Sequence, residues 1–218
     1  MTLQLTKHWA CYPQDQYDTK VKATQNQAMM FNHRLAAQQR AKKLFGKYKR
    51  EGMQKSFACV LMCFNAEGHP CLILKKKNDG RLKLVGGKIK VGESTVEKAL
   101  YRKMKDIVFG GPTSCQMGEL LSVWYRPNFD ELLLPYLPLH ENRPKERVEV
   151  YQVVLPEKCI LQTGSPLEVV PLHELSLLHN ECPILASLPA AISRFALNRM
   201  EKDTEAASGL PPGAGAAT

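Results

Sequence analysis

The sequence predicts a mixed α/β domain with helices on both sides of a central sheet. Three observations predict it. Helical and strand-like runs follow in the order helix, strands, helix, strands, helices. Glycine, proline and Asn-Asp-Gly clusters punctuate the boundaries between them. The composition, 44% hydrophobic and 23% charged over 218 residues, is that of an ordinary globular chain and excludes wholesale disorder.

Residues 1–25 are polar, carry Tyr12, Pro13 and Tyr17, and show no sustained period; they read as an irregular or edge-strand arm. A helix is expected over 27–50. Ala37, Ala41, Leu44, Phe45 and Tyr48 make its apolar stripe, and Arg40, Lys43, Lys47 and Arg50 a neighbouring basic ridge. Gly52 ends it. Residues 56–65 read as a buried strand, 66–70 as its turn and 71–76 as the returning strand. Asn78-Asp79-Gly80 is a second tight turn, after which 81–85 alternates like a half-exposed strand. Gly86-Gly87 is expected to be a loop. Ser94 as N-cap, with Glu97 three residues on, forms a capping box that opens a helix over 95–108. Val96, Leu100, Met104 and Ile107 would be its buried stripe.

Gly110-Gly111-Pro112 breaks the chain before a strand at 116–125. Residues 127–143 form a proline-punctuated surface segment with unusual apolar content, including Leu132, Leu133, Leu134, Tyr136 and Leu137. Strands follow at 147–155 and 167–170, then a short helix at 172–178. The final helix is expected over 187–199, with Leu188, Ile192 and Phe195 on one side and Pro189 in its first turn. The Gly/Ala/Pro/Ser-rich end reads as a disordered tail. The domain reading is therefore an arm at 1–25, one domain over 26–199 and a tail at 200–218.

No run approaches the ~18 apolar residues a membrane-spanning helix needs, and 1–10 lacks the apolar core of a signal peptide, so no membrane is expected. Seven scattered cysteines include no C-x-x-C pair, which argues against a disulfide framework and a structural zinc site. Charge is more telling. The chain carries +9, and residues 40–55 and 75–90 each hold seven basic residues against one acid. The remainder is slightly acidic. Such a patch favours a polyanionic partner, nucleic acid or phosphorylated protein, over a basic surface that serves only solubility.

Leu84-Val85-Gly86-Gly87-Lys88-Ile89-Lys90-Val91-Gly92-Glu93-Ser94 resembles the front half of the Nudix box, in which a glycine, five residues and a glutamate lead into a helix. Gly87 and Glu93 match. In that family, glutamates of the helix bind magnesium against a diphosphate. At the offsets of the family's arginine and three glutamates, this chain has Tyr101, Arg102, Lys105 and Asp106. Magnesium demands hard oxygen ligands, so a cluster reduced to Glu93 and Asp106 beside Arg102 and Lys105 repels it. The expectation is a Nudix-like fold without hydrolysis, metal or cofactor; an active hydrolase with ligands recruited elsewhere is the alternative.

Two further segments sharpen the resemblance. Trp124-Tyr125-Arg126-Pro127-Asn128-Phe129 with Pro135-Tyr136-Leu137-Pro138-Leu139-His140, and Pro183-Ile184-Leu185-Ala186-Ser187-Leu188-Pro189, are similar to signatures of the small, Nudix-like subunit of pre-mRNA cleavage factor Im. The resemblance implies a Nudix-like α/β/α sandwich with a mixed central sheet, a nuclear homodimer, and no catalytic metal cluster. It also implies UGUA reading in the 3′-untranslated part of pre-mRNA and a larger, RRM-containing partner subunit. Carried over by position, the family's base-contacting arginine falls at Arg40, its stacking aromatic at Arg81 and Leu82, a strand glutamate at Ala58 and a tyrosine at Glu181. Lys43 and Lys83 add charge there. The partner-binding tyrosines fall at Leu134 and Tyr136, with Trp124, Tyr125 and Arg126 leading in. Leucine cannot stack on a base, so the expected RNA preference is weak or altered and strongly salt-dependent. A protein adaptor without RNA specificity, or a hydrolase of dinucleotide or capped substrates, are the rivals.

Overall fold

The computed structural model describes residues 7–21, 33–109, 115–129, 132–178 and 182–200, without the side chains of 33–38 and 40. The expected break at 110–112, Glu181, the Arg40 side chain, the first residues of the expected long helix and the tail beyond 200 lie outside the described residues.

Strand β3 (Gln54–Phe64) organises the molecule because it is apolar on both faces. Ala58, Val60, Met62 and Phe64 enter one core, and Phe57, Cys59, Leu61 and Cys63 enter the other. A strand covered on both sides needs such an unbroken apolar run. Its first half pairs parallel with β9 (Glu146–Val154) and antiparallel with β6 (Val85–Lys88). Its second half pairs with β4 (Pro70–Lys76) and, in parallel, with β1 (Lys7–Pro13). The main sheet runs β11 (Leu167–Pro171), β4, β3, β1 and β12 (Phe195–Arg199). Strand β5 (Leu82–Lys83) extends β4, and β8 (Gln116–Arg126) lies antiparallel to β9. A second, small sheet joins β2 (Tyr17–Val21), β10 (Cys159–Thr163) and β7 (Val108–Phe109).

Helix α2 (Val96–Lys105) buries Ala99, Leu100 and Met104 in the second core, joined by Ile107 just beyond it. Helix α3 (Pro183–Ile192) buries Ile184, Leu185, Leu188 and Ile192 in the first. Two helical layers therefore enclose the sheet, as expected.

Several expectations are corrected. Strand β1 is neither irregular nor at an edge: it lies between β3 and β12, with Trp9 and Cys11 buried and the Trp9 ring 5.6 Å from Phe195. Its alternation is too short to register as a period. Along the stripe of helix α1 (His33–Glu51), on whose burial the sequence was silent, Ala41 and Phe45 are exposed and Leu44 and Tyr48 half-buried. Phe45 and Tyr48 meet Phe129 edge-on at 6.0 and 5.9 Å. Periodicity marks a face, but α2 and α3 already fill the two cores. Gly86-Gly87 is strand, not loop; a methyl group on Gly86 would sit 2.3 Å from the Phe57 carbonyl oxygen. The α2 cap is Thr95 rather than Ser94, its hydroxyl accepting from the Lys98 N–H at 3.3 Å. The last helix spans Pro183–Ile192, with Pro183 in its first turn and Pro189 inside it; Phe195 begins β12. The step from Ile192 to Phe195 fits a helical spacing, so the period could not separate helix from strand. Strand β10 had no signal beyond a five-residue alternation.

Candidate functional site

The box residues are spread over three elements: Gly87 lies in β6, Glu93 in the loop that follows, Arg102 and Lys105 on α2 and Asp106 at its end. Glu93 is held in its loop from two sides. Arg102 Nε donates to its Oε1 at 2.5 Å and Nη2 to its Oε2 at 3.3 Å, while the Lys90 N–H donates to Oε2 at 2.7 Å. Arg102 also donates to the Lys88 carbonyl at 3.3 Å, tying the helix to the loop. The Arg102 bond, then the Lys90 N–H, hold the Glu93 carboxyl below the usual glutamate range, and Glu93 in turn raises Arg102. Asp106 caps the end of α2, and Lys105 is exposed beside it.

Beside this loop opens a cleft of about 650 Å³. Leu44, Lys47 and Tyr48 of α1 form one wall, and the start of β3, residues 88–93, Arg126, Phe129, Lys145 and Glu146 form the rest. Each carboxylate in it already has a cation. Glu51 takes Lys47 at 3.3 Å, Glu146 takes Arg126 at 2.9 Å, and Glu93 takes Arg102. Ser56 Oγ adds a 2.5 Å bond to Glu146.

The residues matched to RNA reading come together only in part. Ala58 and Leu82 both pack against the α3-side core, which Cys182 at the start of α3 also touches. Lys83, one residue on, points to the opposite face, where burial first and then Lys103 and Lys83 lower the pKa of Lys75. Arg81 is exposed and donates from Nε to Asp79 Oδ2 at 2.8 Å. Lys43 is exposed on α1.

The segment matched to partner binding is better assembled. The Trp124 ring is buried in the core, its Nε1 donating to Ser122 Oγ at 3.0 Å, so it supports the surface from beneath. Tyr125 and Leu134 exchange two backbone hydrogen bonds of 2.8 Å, which fold the segment back on β8. Leu132, Tyr136, Leu137 and Leu139 then stand exposed, Tyr136 by 59%. Sequence reasoning had Lys55 in a basic window and Phe129 in a signature segment but did not bring them into one cleft; the signal available was the placement of Lys88 and Lys90 inside the box.

Residues 7–195 match the Nudix family model described as nucleotide hydrolase. Cleavage and polyadenylation specificity factor subunit 5 of Dictyostelium discoideum is 32% identical over 155 residues, 68% of this chain and 76% of that one. This chain belongs to the Nudix-fold family of cleavage factor Im small subunits. Pre-mRNA cleavage factor Im 25 kDa subunits 2 and 1 of Arabidopsis thaliana are similar to it at 32% and 31% identity. Those matches cover 69% and 73% of this chain, and 78% and 74% of the relatives. A nucleotide-hydrolysing Nudix site implies a divalent metal, and the donor set of this member does not fit one: Glu93 has both oxygens committed to N–H donors, and Arg102 and Lys105 stand near the remaining carboxylate of Asp106. Among the described residues, no group of three or more His, Cys, Asp or Glu side chains is placed to hold a metal ion.

Proposed function

We propose that this protein is a non-catalytic subunit of the nuclear pre-mRNA 3′-end cleavage and polyadenylation machinery, a homodimer that binds RNA and a larger RRM-type or adaptor subunit. The observation that carries the reading is the box helix itself, which at the offsets of the family's metal-binding glutamates carries Arg102 and Lys105 and keeps one acid, Asp106 at its end. The relatives named as cleavage factor subunits support the same assignment. The partner surface is the exposed Leu132–Leu139 stretch on its buried Trp124 base. Fluorescence anisotropy with UGUA and scrambled oligomers at two salt concentrations tests the RNA part. Binding with little sequence preference, falling steeply with salt, is expected; tight, sequence-selective, salt-insensitive binding contradicts it.

A second reading, a protein adaptor without RNA specificity, is favoured by Leu82, whose side chain packs on the core rather than standing free to meet a base. Absence of binding even at low salt, with the partner still co-purifying, would decide for the adaptor.

A further inference from the structure

We propose that the cleft between α1 and the β6–α2 loop grips the phosphodiester backbone of single-stranded RNA without a metal ion, through Lys55, Lys88 and Lys90. The inference rests on the RNA-binding reading and gives it a site that the residues matched to base reading do not occupy.

Charge accounting inside the cleft leads there. Its three carboxylates, Glu51, Glu93 and Glu146, are each neutralised by a cation at 3.3 Å or less. Lys55, Lys88 and Lys90 line the same cavity, are exposed, and have no ion-pair partner among the described residues. The balance of the cavity is positive, in the place where metal-binding acids are expected of a hydrolase. A phosphate there meets ammonium groups that supply the charge a metal would otherwise bring, but nothing that activates water. It is held and not cut.

Aromatic rings also line the cleft, with Lys145 Nζ 5.1 Å from the centre of the Tyr48 ring. Tyr48 and Phe129 meet edge-on at 5.9 Å along its wall, and the Tyr48 hydroxyl donates to the Arg143 carbonyl at 3.2 Å, which fixes the ring. A base lying against such a wall while its phosphate meets the lysines is the usual division of labour in single-strand binding. A chain is favoured over a free nucleotide because the positive surface continues out of the cavity. Lys43 lies one helical turn from the cleft-lining Lys47, and Arg50 lies beyond it, a track of roughly 10 Å along α1.

The test uses the full chain and a 5′-fluorescein-labelled single-stranded 12-mer RNA, followed by anisotropy in magnesium and in EDTA. The triple variant Lys55→Gln, Lys88→Gln, Lys90→Gln is compared with a charge-matched control, Lys20→Gln, Lys98→Gln, Lys158→Gln, all exposed and outside the cleft. Because all six side chains are exposed, both variants should melt like the parent. Expected are no effect of EDTA, an affinity loss of about tenfold or more for the cleft variant only, and a salt slope lower by about 2. Equal loss in both variants overturns the cleft and leaves RNA binding standing. No binding by the parent overturns both. Displacement of the RNA by micromolar ATP, but not by inorganic phosphate, would reassign the cleft to a free nucleotide and also overturns the proposal.

Discussion

Arg102 and Glu93, nine positions apart, meet across the β6–α2 junction with Nε 2.5 Å from Oε1 and Nη2 3.3 Å from Oε2. The pair fastens the loop to the helix. Its pH behaviour has a definite sign. Glu93 is depressed when folded, so its stabilising contribution is complete above the ordinary glutamate value of about 4.3 and disappears as pH falls through the lower folded value. The stability difference between parent and Glu93→Gln, measured by urea denaturation, should be flat from about pH 5.5 to 8 and shrink below about pH 4.3. A difference that grows on acidification would contradict the pairing.

Trp9→Ala should destabilise the protein by about 3–5 kcal/mol, as expected for a fully buried aromatic. Its ring packs on Phe195, and its strand is hydrogen-bonded to β12 on one side and β3 on the other. Thermal melting checks this. An unchanged midpoint would mean that β1 is the detachable arm its composition suggested.

Much of this architecture is legible in the sequence where one interaction dominates. The apolar run of β3, the Asn78-Asp79-Gly80 turn with its positive-φ Gly80, and the Leu100–Met104 face of α2 each follow from burial or backbone geometry alone. The misreadings fall where two causes give one pattern. Gly86 is glycine because Phe57 approaches it, not because the chain turns there, and composition cannot tell those apart. The stripe of α1 is real, but its period does not say that its apolar face meets Phe129 at a cleft rather than a core. Box residues could be read by offset, whereas the cleft they border joins segments from 41 to 146 that only folding brings together.

Gly86→Ala should cost about 1–3 kcal/mol, because the added methyl group meets backbone that cannot swing away. Gly164→Ala, where the same atom meets open space, should change stability by less than about 0.5 kcal/mol. Paired denaturation curves make the comparison, and equal effects would argue against the close β3–β6 contact.

Burial raises the thiols of Cys11, Cys59, Cys63 and Cys159 to about 12 and that of Cys115 to about 11, so little thiolate exists at neutral pH. Cys182 is the partly exposed one of the seven. Titration of the native protein with a thiol reagent at pH 8 should show one prompt equivalent, and the rest only on unfolding. Several fast equivalents would mean that the cores open readily.

On the proposed reading, Tyr136→Ala should weaken capture of a partner subunit while shifting the melting midpoint by no more than a degree or two, since the ring is mostly exposed. Co-purification from cell extract, scored beside a melt, checks both halves. Undiminished capture would move the partner surface elsewhere.

The central claim, that the box loop holds phosphates but does not cleave them, is tested most directly by incubating the purified protein with diadenosine tetraphosphate and magnesium or manganese and separating the nucleotides. No product above the protein-free control is expected at any metal concentration. Metal-dependent product that disappears in Glu93→Gln would contradict the account.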